Sequence, residues 1–427
     1  MKQQTKFKQT EIGEIPEDWE IKTIGESIEI NSKREIKKGT KVKFVAMQDL
    51  EEFNKKIKSF SHRSFKGGSK FKNGDTLMAR ITPCLENGKT AFVDILEENE
   101  VGAGSTEFIV LSGKKGETIN QFVYYLTVSS QMRADAIQSM TGTSGRQRVQ
   151  NDLLSSKRII IPPINEQKSI ASILSSLDSK IELNQKMNKT LEAIGQALFK
   201  RWFVDFEFPN EKGKPYKSSG GEMIDSELGK IPKGWKVGKL KDLVGNVKDS
   251  LQAGEGIKNR KYVPIDNLSM NQIGLTSYLP YTEAQSSLIG FEKDDILIGA
   301  MRIYFHRVNL APFSGVTRTT SFVLRPKNKN QLSYSLFLLN LDETIGFANA
   351  HSKGSTMPYA VWNNSLENMP VIIPNNEIMK SFNDLIYPQL CSIRDMVFES
   401  NNLSVIRDSL LPKLMSGEIR VSLEKER

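Results

Sequence analysis

The sequence predicts an α+β protein: two mixed α/β modules separated by two long helices that pair as an antiparallel coiled coil, with an internal pseudo-twofold repeat. Three observations predict it. The 427-residue chain matches itself, in order, at offsets of 212 to 220 residues. Each copy begins with short β-branched and aromatic segments broken by Gly, Asn and Asp, which is the texture of strands and turns. Each copy closes on a long run in which apolar residues recur at three-to-four spacing, the mark of an amphipathic helix.

The repeat is read from four collinear pairs. GEIPEDW at 13–19 matches GKIPKGW at 229–235, and FKNGDTL at 71–77 matches FEKDDIL at 291–297. STEFIVL at 105–111 matches TTSFVLR at 319–325, and GTSGRQRVQNDLLSSKRIIIPP at 142–163 matches GSTMPYAVWNNSLENMPVIIPN at 354–375. Any one pair could arise by chance; four in order indicate a duplicated unit. The expected division is 1–164 for the first module, 165–208 for a central helix, 209–374 for the second module, and 375–427 for a C-terminal helix and tail.

Within the modules, TAFVDIL, EFIVL, DILIGAM and TSFVLR read as short strands. Pro162–Pro163 and Pro374 close the two β-rich parts. The central helix carries Ile170, Leu174, Leu177, Ile181, Leu191, Ile194 and Leu198; its counterpart carries Phe382, Ile386, Ile393, Met396, Leu403, Ile406, Leu410 and Leu414. A helix of about 35 residues is on the order of 50 Å long. With one narrow apolar stripe it needs a partner, and the second copy supplies a matching stripe. Asn184 and Asn188 fall on or near that seam, where buried polar groups set register.

Composition excludes several classes. An apolar fraction of 38% with 26% charged residues describes a globular chain. The two cysteines, Cys84 and Cys391, and three scattered histidines, His62, His306 and His351, support neither a disulfide framework nor a zinc site, and they fit a reducing cytoplasm. No apolar run reaches membrane-span length, so no membrane association is expected. GKT at 88–90 fails as a P-loop because Pro83 stands where glycine is required. No Asn/Asp-Pro-Pro-aromatic motif of an amino-methyltransferase occurs. Asp94, Glu97, Glu98 and Glu100 read as a solvated acidic loop and not as a nuclease centre. The expectation is a binder without catalytic residues and without a metal or cofactor of its own.

Lys plus Arg exceeds Asp plus Glu by 59 to 50, and the excess is clustered. Lys55 to Lys72 holds seven cations and no acid, interleaved with Phe60, Phe65 and Phe71; the stretch between Asp295 and Asp342 is also acid-free. Unopposed positive charge of this density favours a polyanion. The candidate DNA-contacting residues are Arg63, Lys66, Lys70 and Arg80 with Arg302, Arg307 and Arg318. Arg146, Gln147 and Arg148 join them from the loop GTSGRQRVQ, with Lys353, Ser355 and Thr356 as the counterpart. Arg, Asn and Gln side chains are those that address base edges in pairs of hydrogen bonds. Trp19 and Trp235 could stack on bases, but just after an Ile-Pro turn they read as core.

Taken together, these motifs resemble the DNA specificity subunit of Type I restriction–modification systems over nearly the whole chain. Ile15-Pro16 with Trp19, and Ile231-Pro232 with Trp235, are similar to the opening motif of each target recognition domain. Ile161-Pro162-Pro163 followed by Glu166-Gln167 and Ile170 resembles the join into the central helix, and Leu198–Phe206 (LFKRWFVDF) its end. The second copy departs: Asn375-Asn376-Glu377 follows Pro374, and its helix ends in Leu414-Met415-Ser416-Gly417. The resemblance implies a non-catalytic subunit that reads a bipartite, asymmetric double-stranded DNA target, one half per module. It also implies two methyltransferase subunits that use S-adenosylmethionine to modify adenine, and two motor–nuclease subunits that use ATP and Mg²⁺. Three alternatives remain open: the reader of a modification-only system, a coiled-coil adaptor that does not bind DNA, and an enzyme with an unrecognised site.

Overall fold

The computed structural model describes residues 6–143 and 145–421. The chain divides into two compact units, Met1–Lys180 with Leu403–Arg427, and Ile181–Asn402.

The first unit opens on a hairpin, Phe7–Thr10 against Gly13–Pro16. Strand Glu20–Thr23 then pairs antiparallel with Arg158–Ile161, so the beginning and end of the module are stitched together. Between them lie two four-stranded sheets. One runs Ile28–Ile30, Phe108–Gly113, Thr76–Ala79, Thr90–Phe92, all antiparallel. The other runs Ser61–Ser64, Lys41–Val45, Gly102–Gly104, Ser69–Phe71, and its Lys41–Val45/Gly102–Gly104 pairing is parallel. Successive side chains on a strand face opposite ways, and here they feed two cores. Met78, Ile109 and Leu111 join a cluster with helix Asn120–Val128 and with Ile170, Leu174 and Leu414 of the long helices. Leu77, Phe108 and Val110 join a separate cluster around Phe71 and Val45.

The second unit repeats this plan. A hairpin joins Met223–Ser226 and Gly229–Pro232, and Lys236–Lys239 pairs with Pro370–Ile373. Its first sheet, Val244–Asn246, Ser321–Pro326, Ile296–Gly299, Val308–Leu310, has the strand order of its counterpart. Its second sheet runs Ser250–Gln252, Ser287–Phe291, Gly315–Arg318, Lys261–Val263, again with one parallel pairing, Lys261–Val263 with Gly315–Arg318. Three strands of that sheet correspond between the units. The fourth does not: Ser61–Ser64 flanks the parallel partner in one, whereas Ser250–Gln252 flanks the opposite edge in the other.

Two long helices follow the modules, Ile164–Phe199 (36 residues) and Asn376–Ser416 (41 residues). Within the first unit, Asp178 accepts from Arg407 Nη1 at 2.9 Å, and Leu410, Leu411 and Met415 pack on the cluster that holds Ile170 and Leu174. Within the second, Asn184 donates to Glu399 Oε2 at 2.8 Å and to Ser400 Oγ at 3.3 Å, while Phe199 packs on Phe382. In each unit, higher numbers on one helix meet lower numbers on the other.

The stripe itself needs correcting. Ile170, Leu174, Ile181, Phe382, Ile386, Ile393 and Leu414 are buried, and Leu177, Leu191, Leu198, Met396, Leu403 and Leu410 are half-buried. Ile194 and Ile406 are 42% and 46% exposed and lie outside the packed face. The buried face of the central helix runs instead through Ile181, Asn184, Glu192, Gly195 and Phe199. That path keeps the helical period, but three of its five residues are not apolar, so a count of apolar positions drifts off it. Gly195 is there because a Cβ would stand 2.4 Å from the Phe337 ring, where helix Leu332–Leu339 crosses.

Glu192 is the unusual member of this face. Its carboxyl accepts from the N–H groups of Ile273 and Gly274 at 3.0 and 3.3 Å, and burial raises its pKa above the ordinary value. A raised folded pKa means that the contribution to stability is complete below the unfolded pKa and is lost as pH rises through the folded one. Glu192→Gln keeps an acceptor for both N–H groups without the charge. The variant is expected to match wild type in acid and to exceed it in stability at neutral pH and above, in urea titrations across that range. An advantage that is constant with pH would contradict this.

Candidate nucleic-acid interface

In each unit a loop docks on the end of a core strand. In the first, Met140–Thr141 pairs with Arg148–Val149, Val149 N donates to Arg80 O at 2.9 Å, and Thr82 N donates to Gln147 O at 3.1 Å. This brings Arg80, Arg146, Gln147 and Arg148 together just past strand Thr76–Ala79. In the second, Ala360 N donates to Ala300 O at 2.8 Å, Arg302 N donates to Pro358 O at 2.8 Å, and Lys353 and Tyr359 exchange backbone bonds at 2.9 Å. Arg302 is thereby set beside the loop bearing Lys353, Ser355 and Thr356. Glycine begins both loops in left-handed backbone, Gly142 at φ +125° and Gly354 at φ +89°, where a side chain is disfavoured; at Gly354 a Cβ would also meet Met357 O at 2.9 Å.

The candidates differ in what their charges do. Arg148 forks onto Glu107 through Nε and Nη2 at 2.8 to 3.1 Å, and holds that carboxyl below the ordinary range. Arg307 donates to Ile265 O at 3.0 Å, covers the Phe305 ring, and keeps 12% of its side chain exposed. Arg80 donates to Val149 O at 2.6 Å, and Lys70 to Arg34 O at 2.7 Å. For Arg148 and Arg307 the expectation of a free cation is corrected: Glu107 takes the fork of Arg148, and Arg307 is largely enclosed, with Nη1 on Ile265 O and 3.5 Å from Asp266. Arg63, Lys66, Arg146, Arg302, Arg318 and Lys353 are exposed and have no carboxylate partner among the described residues. Arg63 lies on an edge strand with its guanidinium over the Phe44 ring.

Folding also tempers the Lys55–Lys72 stretch. Lys55 reaches inward to Asp178 at 3.4 Å and to the Tyr124 and Tyr125 rings. Lys58 pairs with Glu51 at 2.9 Å, and Lys56 pairs with Asp94. Phe65 and Phe71 are core; only Phe60 of the three aromatics is exposed. The acidic loop is engaged rather than free, with Glu97 and Glu100 each 3.2 Å from Lys43.

Sequence reasoning missed several residues at these surfaces. Lys33 lines an open concavity of about 670 Å³ with Lys70, Arg80 and Thr106 in the first unit. In the second, Tyr304, Met357 and Tyr359 stand 50%, 48% and 47% exposed near Arg302. No periodicity marks them; only a loop's placement does. Among the described residues there is no group of three or more His, Cys, Asp or Glu arranged to hold a metal, and no helix is long and apolar enough to cross a membrane. Trp19 and Trp235, 0% and 4% exposed, are core.

Residues 16–193 and 232–387 match the family described as the Type I restriction modification DNA specificity domain, one copy in each half of the chain. The MjaIX specificity subunit of a Type I restriction enzyme from Methanocaldococcus jannaschii is 28% identical, over 98% of this chain and 97% of that protein. The HindI specificity subunit from Haemophilus influenzae is 24% identical, over 82% of this chain and 87% of that one. The solved S subunit of a Type I restriction–modification system from M. genitalium shares the fold, with a TM-score of 0.56, 16% identity, and coverage of 93% of this chain and 96% of that one. Two matched domains spanning most of the sequence, on a duplicated fold with paired loop-on-strand surfaces, establish that the chain belongs to the family of Type I restriction–modification DNA specificity subunits.

Proposed function

We propose that this chain reads a bipartite, asymmetric duplex target for a Type I restriction–modification complex, with one half-site for each module. In this reading residues 1–164 and 209–374 are the recognition domains. Residues 165–208 and 375–427 supply the helices, paired as an antiparallel coiled coil, and with the adjoining domains they hold two methyltransferase subunits. Two motor–nuclease subunits complete a restricting complex. The chain itself is not catalytic; S-adenosylmethionine, ATP and Mg²⁺ belong to the partners, and the complex works in the cytoplasm.

One observation carries this reading. Both modules share the strand order of the first sheet, the parallel pairing in the second and the same loop-on-strand backbone bonds, yet display different side chains at the tip. A common frame with divergent tips suits two readers of unlike half-sites, because backbone and phosphate contacts position a reader while side chains specify bases. Of the candidates, Arg63, Lys66, Arg146, Arg302, Arg318 and Lys353 are exposed cations available to phosphates or bases, and Lys33 joins them.

Salt dependence tests it. With on the order of five phosphate contacts, log affinity for target duplex is expected to fall against log salt with a slope of about −4 to −5. Fluorescence anisotropy of labelled duplex between low and physiological salt gives the slope. A slope near zero, or no binding at any salt, would contradict DNA reading and favour an adaptor.

A further inference from the structure

The two modules share one backbone position at which they present opposite chemistry. In the first, Thr82 donates its N–H to Gln147 O at 3.1 Å, and its hydroxyl is spent on Glu86 Oε1 at 2.9 Å. In the second, Arg302 donates its N–H to Pro358 O at 2.8 Å. Its exposed side chain makes no hydrogen bond or ion pair among the described residues.

The turn that presents Arg302 is held in an unfavourable shape. Arg302 and His306 flank the turn Ile303–Phe305 with φ of 49° and 52°, both in the left-handed region. Residues with a Cβ stay there only where the surroundings over-determine them, and such outliers concentrate at ligand-contacting sites. The surroundings here are specific. The His306 ring lies 3.0 Å from Asn340 Oδ1, His306 O accepts from Asn271 N at 3.0 Å, and Arg302 is tied to Pro358. Tyr304 stands at the apex, half exposed, edge-on to Phe305 at 5.0 Å. A rigid turn thus displays an unpaired guanidinium beside an exposed ring, where the other module displays a satisfied threonine.

We propose that Arg302 reads a guanine in the second module's half-site, donating through its fork to O6 and N7, with Tyr304 packed against the neighbouring base. This rests on the reading of the chain as a two-half DNA reader. A phosphate contact would need only the charge, whereas guanine recognition needs the fork.

Arg302→Gly suits the positive φ and so removes only the side chain; Arg302→Lys keeps the charge without the fork. Each full-length variant is expressed with the methyltransferase partner in a methylation-free host, and modified adenines are mapped across the genome. The expected result is that one guanine position in one half of the motif loses discrimination by about tenfold or more. The other half stays intact, and Arg302→Lys does not restore the lost position. An unchanged motif in Arg302→Gly, or recovery in Arg302→Lys, overturns the proposal. Loss at all positions alike in both variants marks the turn as structural and overturns it too. If wild type itself yields no two-part motif, the failure lies with the underlying reading instead.

Discussion

Glu166→Ala is expected to cost the first unit about 3 kcal/mol. Glu166 is 2% exposed and serves three donors. Trp19 Nε1 reaches it at 2.8 Å, and Arg420 reaches it through Nε at 2.7 Å and Nη2 at 2.8 Å. Arg420 also reaches Asp18 at 2.7 Å. Hydrogen bonding to Glu166, helped by Asp18, favours the charged form of Arg420 and raises the Arg420 pKa. Removing the carboxylate leaves the indole N–H of a fully buried Trp19 without an acceptor, and it leaves Arg420 with Asp18 at its exposed side and the Trp19 ring beneath it.

The site ties together the opening motif, the start of the central helix and the tail after the C-terminal helix, all within one unit. Glu166→Gln keeps an acceptor but not the charge, and should fall between wild type and Glu166→Ala. A urea titration of the three proteins, with exchange of the Trp19 indole N–H as the local reporter, checks this. Glu166→Ala within about 0.5 kcal/mol of wild type, with slow indole exchange, would contradict it. Among the described residues the second copy shows no such pair: Trp235 packs on Phe203, Phe206 and Phe208 instead. Two copies of one motif are therefore closed by different chemistry.

The parts of the fold visible in the sequence are those that depend on local pattern. The duplication, the order of strands before helices, and the burial of Trp19 and Trp235 follow from motif spacing and apolar periodicity. The parts hidden from it depend on partners far along the chain. Asn184 is legible at the seam as a register-setting polar group, but apolar counting places Ile194 there and passes over Glu192, whose burial becomes tolerable only when the Ile273 and Gly274 N–H groups arrive to satisfy it. The same limit applied to the charges. Arg148 is 41 residues from the Glu107 that takes its fork, so a local count of cations overstated what is free. Tyr304 carries no sequence signal, since its exposure comes from the strained turn beneath it.

The larger expected effect is functional and close to all-or-none. If the modules supply all the sequence reading, a partner methyltransferase alone has no target, because nothing positions it on particular bases. Specific recognition exceeds non-specific binding by roughly 10³-fold or more, so adding this chain should switch modification from undetectable to nearly complete at one motif. Because the two tips differ, Arg146, Gln147 and their neighbours in one unit and Arg302, Lys353 and theirs in the other, that motif should have two unlike halves. Because each module is a separate unit, the halves should be split by a constant unspecified gap.

The measurement is genome-wide mapping of modified adenines in a methylation-free host that expresses the methyltransferase partner with and without this chain. The account predicts one asymmetric, two-part motif with a fixed gap, present only when the chain is present. Modification that persists without the chain, or a compact unsplit motif, would contradict it.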